Sequence, residues 1–138
     1  MDWKKSCFSA LDKAKLFENS GHRTRFKELV DCFSGYPFFT KGLCKCIYLS
    51  AWDEKHFCIM LETLTELSLG RETNTKEMSV KGEDLADEQT DGEYYIYQLS
   101  IALLNDLPYE FPSADLDPDT EYIIRRALRA SDIIEQLS

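Results

Sequence analysis

Apolar residues recur at helical spacing along most of the chain. Trp3, Cys7, Leu11 and Ala14 stand three and four apart, the step that lines up side chains on one face of an α-helix. This stripe predicts a helix over 3–18, with Phe8 and Leu16 beside it and Lys4, Lys5, Asp12 and Lys15 mostly off it. Asn19-Ser20-Gly21 reads as its stop, because Asn and Gly tolerate the left-handed backbone of a helix end. Phe26, Leu29, Val30 and Phe33 predict a second helix over 22–34. Ser34-Gly35-Tyr36-Pro37 breaks it, since Pro37 disfavours helical backbone at Tyr36.

Thr40 is a good N-cap for a third helix running to Trp52, and Asp53 for a fourth over 54–69 that stops at Gly70. Phe57, Met60, Leu61, Leu64 and Leu67 form the stripe of the fourth, and Cys58 and Ile59 widen it. That breadth predicts a central position. Trp52-Asp53-Glu54 holds no strict breaker, so one long helix is the alternative. Residues 71–92 are charged and carry Gly82 and Gly92; they read as an acidic loop or as a short helix capped by Thr75.

A fifth helix is predicted over 93–105, where Tyr94, Tyr97, Ile101 and Leu104 share a side. Pro108, Pro112 and Pro118 bracket an extended link. The last helix has the clearest start. Asp117 is the cap, Pro118 takes the first helical position, and Asp119 and Glu121 meet the positive end of the dipole. Ile123, Ile124, Ala127, Leu128, Ala130, Ile133 and Ile134 supply its apolar side. Short gaps and no convincing strand pair indicate an all-α fold. The expectation is one compact bundle of five or six helices over 1–138, with a long acidic connection between helices four and five.

Charge sharpens this picture. The 138 residues carry a formal net charge of -9. Residues 71–93 hold three basic and eight acidic groups, and residues 106–121 six acidic groups and no basic one. Such a field repels nucleic-acid backbones and favours basic partners. No apolar run approaches the roughly 20 residues that cross a bilayer, and no signal-like run follows Met1. The five cysteines, Cys7, Cys32, Cys44, Cys46 and Cys58, are odd in number and mostly sit among apolar neighbours. Reduced thiols, buried or inert, in a cytoplasmic protein are expected.

Several constellations suggest chemistry and fall short of it. Asp115, Asp117, Asp119 and Glu121 alternate like a calcium loop, but Thr120 stands where the loop needs Gly, and Arg126 where it needs Glu. Cys44-x-Cys46 and His56-x-Cys58 put soft ligands on opposite sides of a helix. His22 falls in the first turn of helix two, where the dipole disfavours its protonation. A metal-dependent hydrolase would need inward-facing acids, for which Glu62, Glu66 and His56 are the candidates. A nucleic-acid-binding helical regulator would use Arg23, Arg25 and Lys27 together with Arg125, Arg126 and Arg129. No catalytic residue, metal ligand or cofactor follows from spacing.

The remaining reading is a non-enzymatic interaction or regulatory protein. Tyr36, Phe38 and Phe39 would form an aromatic contact surface, with Tyr109 and Phe111 as further anchors and Asp115 as an acidic contact. The expected partner is a protein with a basic surface, or a second copy closing a homodimer.

Overall fold

Among the described residues, six α-helices follow one another: α1 Trp3–Lys13, α2 Ser20–Phe33, α3 Lys41–Ser50, α4 Glu54–Ser68, α5 Asp91–Leu104 and α6 Pro118–Glu135. The computed structural model describes residues 3–69, 91–109 and 117–137, with backbone alone for 91–94. Among the described residues there is no strand, and no helix is long and apolar enough to cross a membrane. The acidic segment 71–90 and residues 110–116 lie outside the described residues. The acidic connection, Phe111 and Asp115 therefore have no structural account.

α3 occupies the centre. Every residue from Leu43 to Leu49 is buried, because α2, α4, α5 and α6 all pack against it. The expectation that the fourth helix is central is corrected here. α4 buries only Met60, Thr63 and Leu64, and Cys58 faces solvent. A broad apolar stripe measures how much surface a helix can bury. It does not count the neighbours that cover it.

Contacts across α3 fix the directions of its neighbours. Cys46 Sγ donates to the Ser100 carbonyl, and Gly42 meets the Leu103 and Leu104 carbonyls, so α5 runs antiparallel to α3. Lys45 reaches Glu135 at the end of α6, while Tyr48 lies beside Arg126 at its middle. α6 is therefore antiparallel to α3 and parallel to α5. The beginnings of α1 and α3 share one end of the bundle with the ends of α2, α5 and α6.

The helix ends depart from expectation in instructive ways. α1 stops at Lys13, five residues early. Leu16 N–H returns to the Leu11 carbonyl and Lys15 N–H to that of Asp12, with Lys15 left-handed at φ 57. This is a Schellman closure, in which buried Leu16 packs back over buried Leu11. Asn19, read as part of a stop, instead starts α2 by accepting the His22 amide at 2.9 Å. A second Schellman closure ends α5, with Asp106 at φ 54 and Leu107 N–H on the Ala102 carbonyl.

The start of α6 is as predicted. One Asp117 oxygen accepts the Thr120 amide at 2.9 Å and the other accepts the Thr120 hydroxyl at 2.6 Å. These bonds hold the Asp117 carboxyl below its usual range. Asp117→Ala should lower stability, because it leaves the Thr120 amide without its cap, read as a lower urea midpoint at unchanged slope. No loss would show that the cap does not matter to α6.

Candidate functional site

The turn between α2 and α3 presents aromatic rings to solvent. Gly35 and Pro37 fold the backbone tightly: Tyr36 N–H bonds to the Phe33 carbonyl and Phe39 N–H to the Tyr36 carbonyl, each at 3.1 Å. Tyr36 is thrown outward with 39% of its surface exposed. Its ring stacks on half-buried Phe38 at 5.1 Å and 11°, and leans on Phe33 at 6.2 Å. An offset parallel pair held by a third ring is rigid and loses little entropy on binding.

The predicted aromatic set is thus divided. Phe39 points inward, with 2% exposure, and stacks on Trp3 at 5.9 Å. It joins α1 to the turn and offers nothing to a partner. Tyr109 is half-buried against the core, with its hydroxyl enclosed and without a hydrogen-bond partner among the described residues. Burial and the nearby Tyr95 push its hydroxyl pKa up. Tyr36 is the exposed member of the set and Phe38 is half-buried beneath it. The inward rings carry cations: Lys4 lies 5.7 Å over Phe39 and Lys41 5.9 Å over Trp3.

The basic residues that suggested nucleic acid are largely occupied by the fold. Arg23 pairs with Asp12 at 3.0 Å, Lys27 with Asp31 at 2.7 Å and Arg125 with Glu121 at 2.8 Å. Others satisfy the carbonyls that every helix leaves unpaired at its C-terminus. Arg25 donates to the Ala51 and Trp52 carbonyls at 2.8 and 2.9 Å, closing α3 from α2. Arg126 donates to the Lys15 carbonyl at 2.7 Å, closing α1 from α6. Lys41 donates to the Glu135 and Leu137 carbonyls, closing α6 from α3. A cation at such an end also meets the negative pole of the helix dipole. Buried Lys45 pairs with Glu135 at 2.8 Å in the same place.

His22 belongs to this cross-bracing, and spacing alone did not reveal it. The ring is fully buried, and stands 4.7 Å from Tyr48 and 4.9 Å from Trp52. Its Nδ1 accepts the Glu18 amide at 3.0 Å, so Nε2 carries the proton and donates to the Tyr48 carbonyl at 2.9 Å. Burial pushes its pKa down to about 4. The dipole argument had the direction right, but desolvation is the larger cause. Tyr48 in turn donates its hydroxyl to the Leu16 carbonyl, and burial pushes that hydroxyl up to about 12.

Of the candidate hydrolase residues on α4, His56 and Glu66 are half-buried and Glu62 is exposed. His56 Nδ1 sits 2.7 Å from both Asp53 oxygens, in the cap of α4, and Glu62 is exposed one to two turns further on. Among the described residues, no group of three or more His, Cys, Asp or Glu is placed to hold a metal ion. The cysteines are free thiols. Cys7, Cys44 and Cys46 are buried, whereas Cys32 and Cys58 are exposed. Burial pushes Cys46 up to about 12, and the hydrogen bond with Cys7 raises Cys44, so both are poor nucleophiles. No known protein family, no curated protein and no solved structure matches the chain.

Proposed function

We propose that this chain is a small non-enzymatic interaction protein that binds another protein through the Tyr36–Phe38 pair. The observation that carries the proposal is the placement of that pair. Tyr36 is exposed and already stacked, and its ring is not needed to fill the core. Tyrosine presented this way is the residue type that most often anchors an interface. The formal charge of -9 favours a partner with a basic face, steered by the long-range field while the aromatic pair supplies affinity. Self-association through the same pair is the alternative occupant, and light scattering separates the two.

The test is affinity capture from cell extract with the wild-type chain and the Tyr36→Ala/Phe38→Ala variant side by side, followed by titration of the recovered protein. Loss of the pair should weaken binding by about 30-fold or more, as expected for an anchor worth at least about 2 kcal/mol. Raising salt should weaken it further. Equal binding by both chains would refute the assignment of the surface.

A further inference from the structure

The His22 ring keeps both of its hydrogen bonds only while it is neutral. Nδ1 faces a donor, the Glu18 amide, and Nε2–H faces an acceptor, the Tyr48 carbonyl. A second proton on the ring would set N–H against N–H at Nδ1 inside a fully buried site. The ring stands where the α1–α2 connection meets the end of α3, walled by Phe17 at 5.3 Å and Trp52 at 4.9 Å. We propose that this corner is an acid-sensitive latch: protonation of His22 breaks the Glu18 N–H···Nδ1 bond, unseats the ring from the end of α3 and opens the corner.

The surrounding charges favour the closed, neutral form. Arg25 on α2 and Arg126 on α6 both oppose a further positive charge. Tyr48 on α3 presents its carbonyl to the ring, and that hydrogen bond favours the charged form. Glu18, on the connection itself, favours the charged ring, but it is exposed and accepts a bond from Tyr122 of α6 at 3.0 Å. At the start of α4, Asp53 faces Arg25 and pairs with His56. Burial outweighs the rest and lowers the ring from 6.5 to about 4.

The direction with pH follows. Above pH 6.5 the ring is neutral whether the corner is closed or open. Between 6.5 and about 4 the open form takes a proton that the closed form refuses. The opening equilibrium therefore rises about tenfold per unit of falling pH and levels off near 300-fold. The carboxylates of Asp12, Asp53, Asp117 and Glu135 are all held below their ordinary values of 3.8 or 4.5. Their stabilisation fades only as pH falls into that lower range, so above about pH 5 the histidine governs.

The Glu18 amide reports directly on the latch, because it donates to the ring. Its hydrogen exchange, corrected for intrinsic rates, is followed from pH 6.5 to 5 in a chain carrying His56→Gln to remove the second histidine. The expected opening constant rises about 15-fold over that interval. It stays flat when His22→Gln is added, and at every pH the Glu18 amide opens at lower cost than the Leu43 amide at the opposite end of the bundle, which exchanges only by global unfolding. A flat Glu18 profile, an equal rise in the His22→Gln chain, or a Glu18 opening constant no larger than that of Leu43 would each overturn the latch. If His22→Gln does not fold, the ring nitrogen shifts of the His56→Gln chain decide. A ring still neutral and protonated at Nε2 at pH 5 supports the proposal. A ring charged by pH 5 with the Glu18 bond intact overturns it.

Discussion

Tyr48→Ala should destabilise the protein by about 3–5 kcal/mol, the range for removing a large buried ring. Domains of this kind are stable by about 5–15 kcal/mol, so the loss takes a third or more of the total in most of that range. Tyr48 is fully buried in the last turn of α3. Its ring lies within 4.7–6.5 Å of His22, Trp52, Phe17 and Phe26, which come from α2 and from the connections flanking α2 and α3. Truncation leaves a cavity that four rigid rings cannot easily collapse into. It also strands the Leu16 carbonyl, which the hydroxyl satisfies. Tyr48→Phe separates the two effects, since it keeps the volume and loses only the donor, at about 1–3 kcal/mol. Urea unfolding followed by far-UV circular dichroism checks the order. A Tyr48→Ala loss below about 1 kcal/mol would mean that the ring is not packed as described.

Gly42→Ala should also destabilise, by roughly 1–3 kcal/mol, although the substitution raises helix propensity by about 1 kcal/mol. A Cβ at position 42 would stand 2.7 Å from both the Leu103 and the Leu104 carbonyl oxygens. These are backbone atoms at the end of α5 and cannot swing aside as a side chain would. Relief requires α3 and α5 to separate where Cys46 Sγ meets the Ser100 carbonyl. Alkylation of buried Cys46 in the native state should therefore accelerate alongside the lower urea midpoint. Gly35→Ala is the matched control, because nothing lies within 4 Å of its Cβ position. If both variants behave alike, the tight α3–α5 approach is wrong.

Much of the helical frame was legible before any coordinate. Thr40, Asp53 and Asp117 cap the helices that they were expected to cap, accepting the amides of Leu43, His56 and Thr120. A cap is a local device whose partner sits three residues away, so sequence carries it. The end of α1 was misread for the opposite reason, and the end of α5, expected within one residue, uses the same device. Lys15 and Asp106 adopt left-handed backbone without being Gly or Asn, because buried Leu16 and the Leu107 amide close the turn onto the preceding helix. The cross-bracing by His22, Arg25, Lys41 and Arg126 was invisible. Its partners stand 26 to 111 residues away, and no periodicity encodes such distances. The aromatic surface was half legible. Composition pointed to Tyr36, Phe38 and Phe39 together, but only packing could turn Phe39 inward and leave Tyr36 outside.

A bundle organised around α3 makes its sharpest prediction for native-state hydrogen exchange. Amides of Leu43 through Leu49 sit in the one helix that four others enclose, so they should exchange only when the whole domain unfolds, with an apparent free energy equal to the global value from urea. Amides of α1 and the outer turns of α4 should open at lower cost. If the α3 amides exchange as fast as those of α1, or through openings far cheaper than global unfolding, α3 is not the centre of this protein.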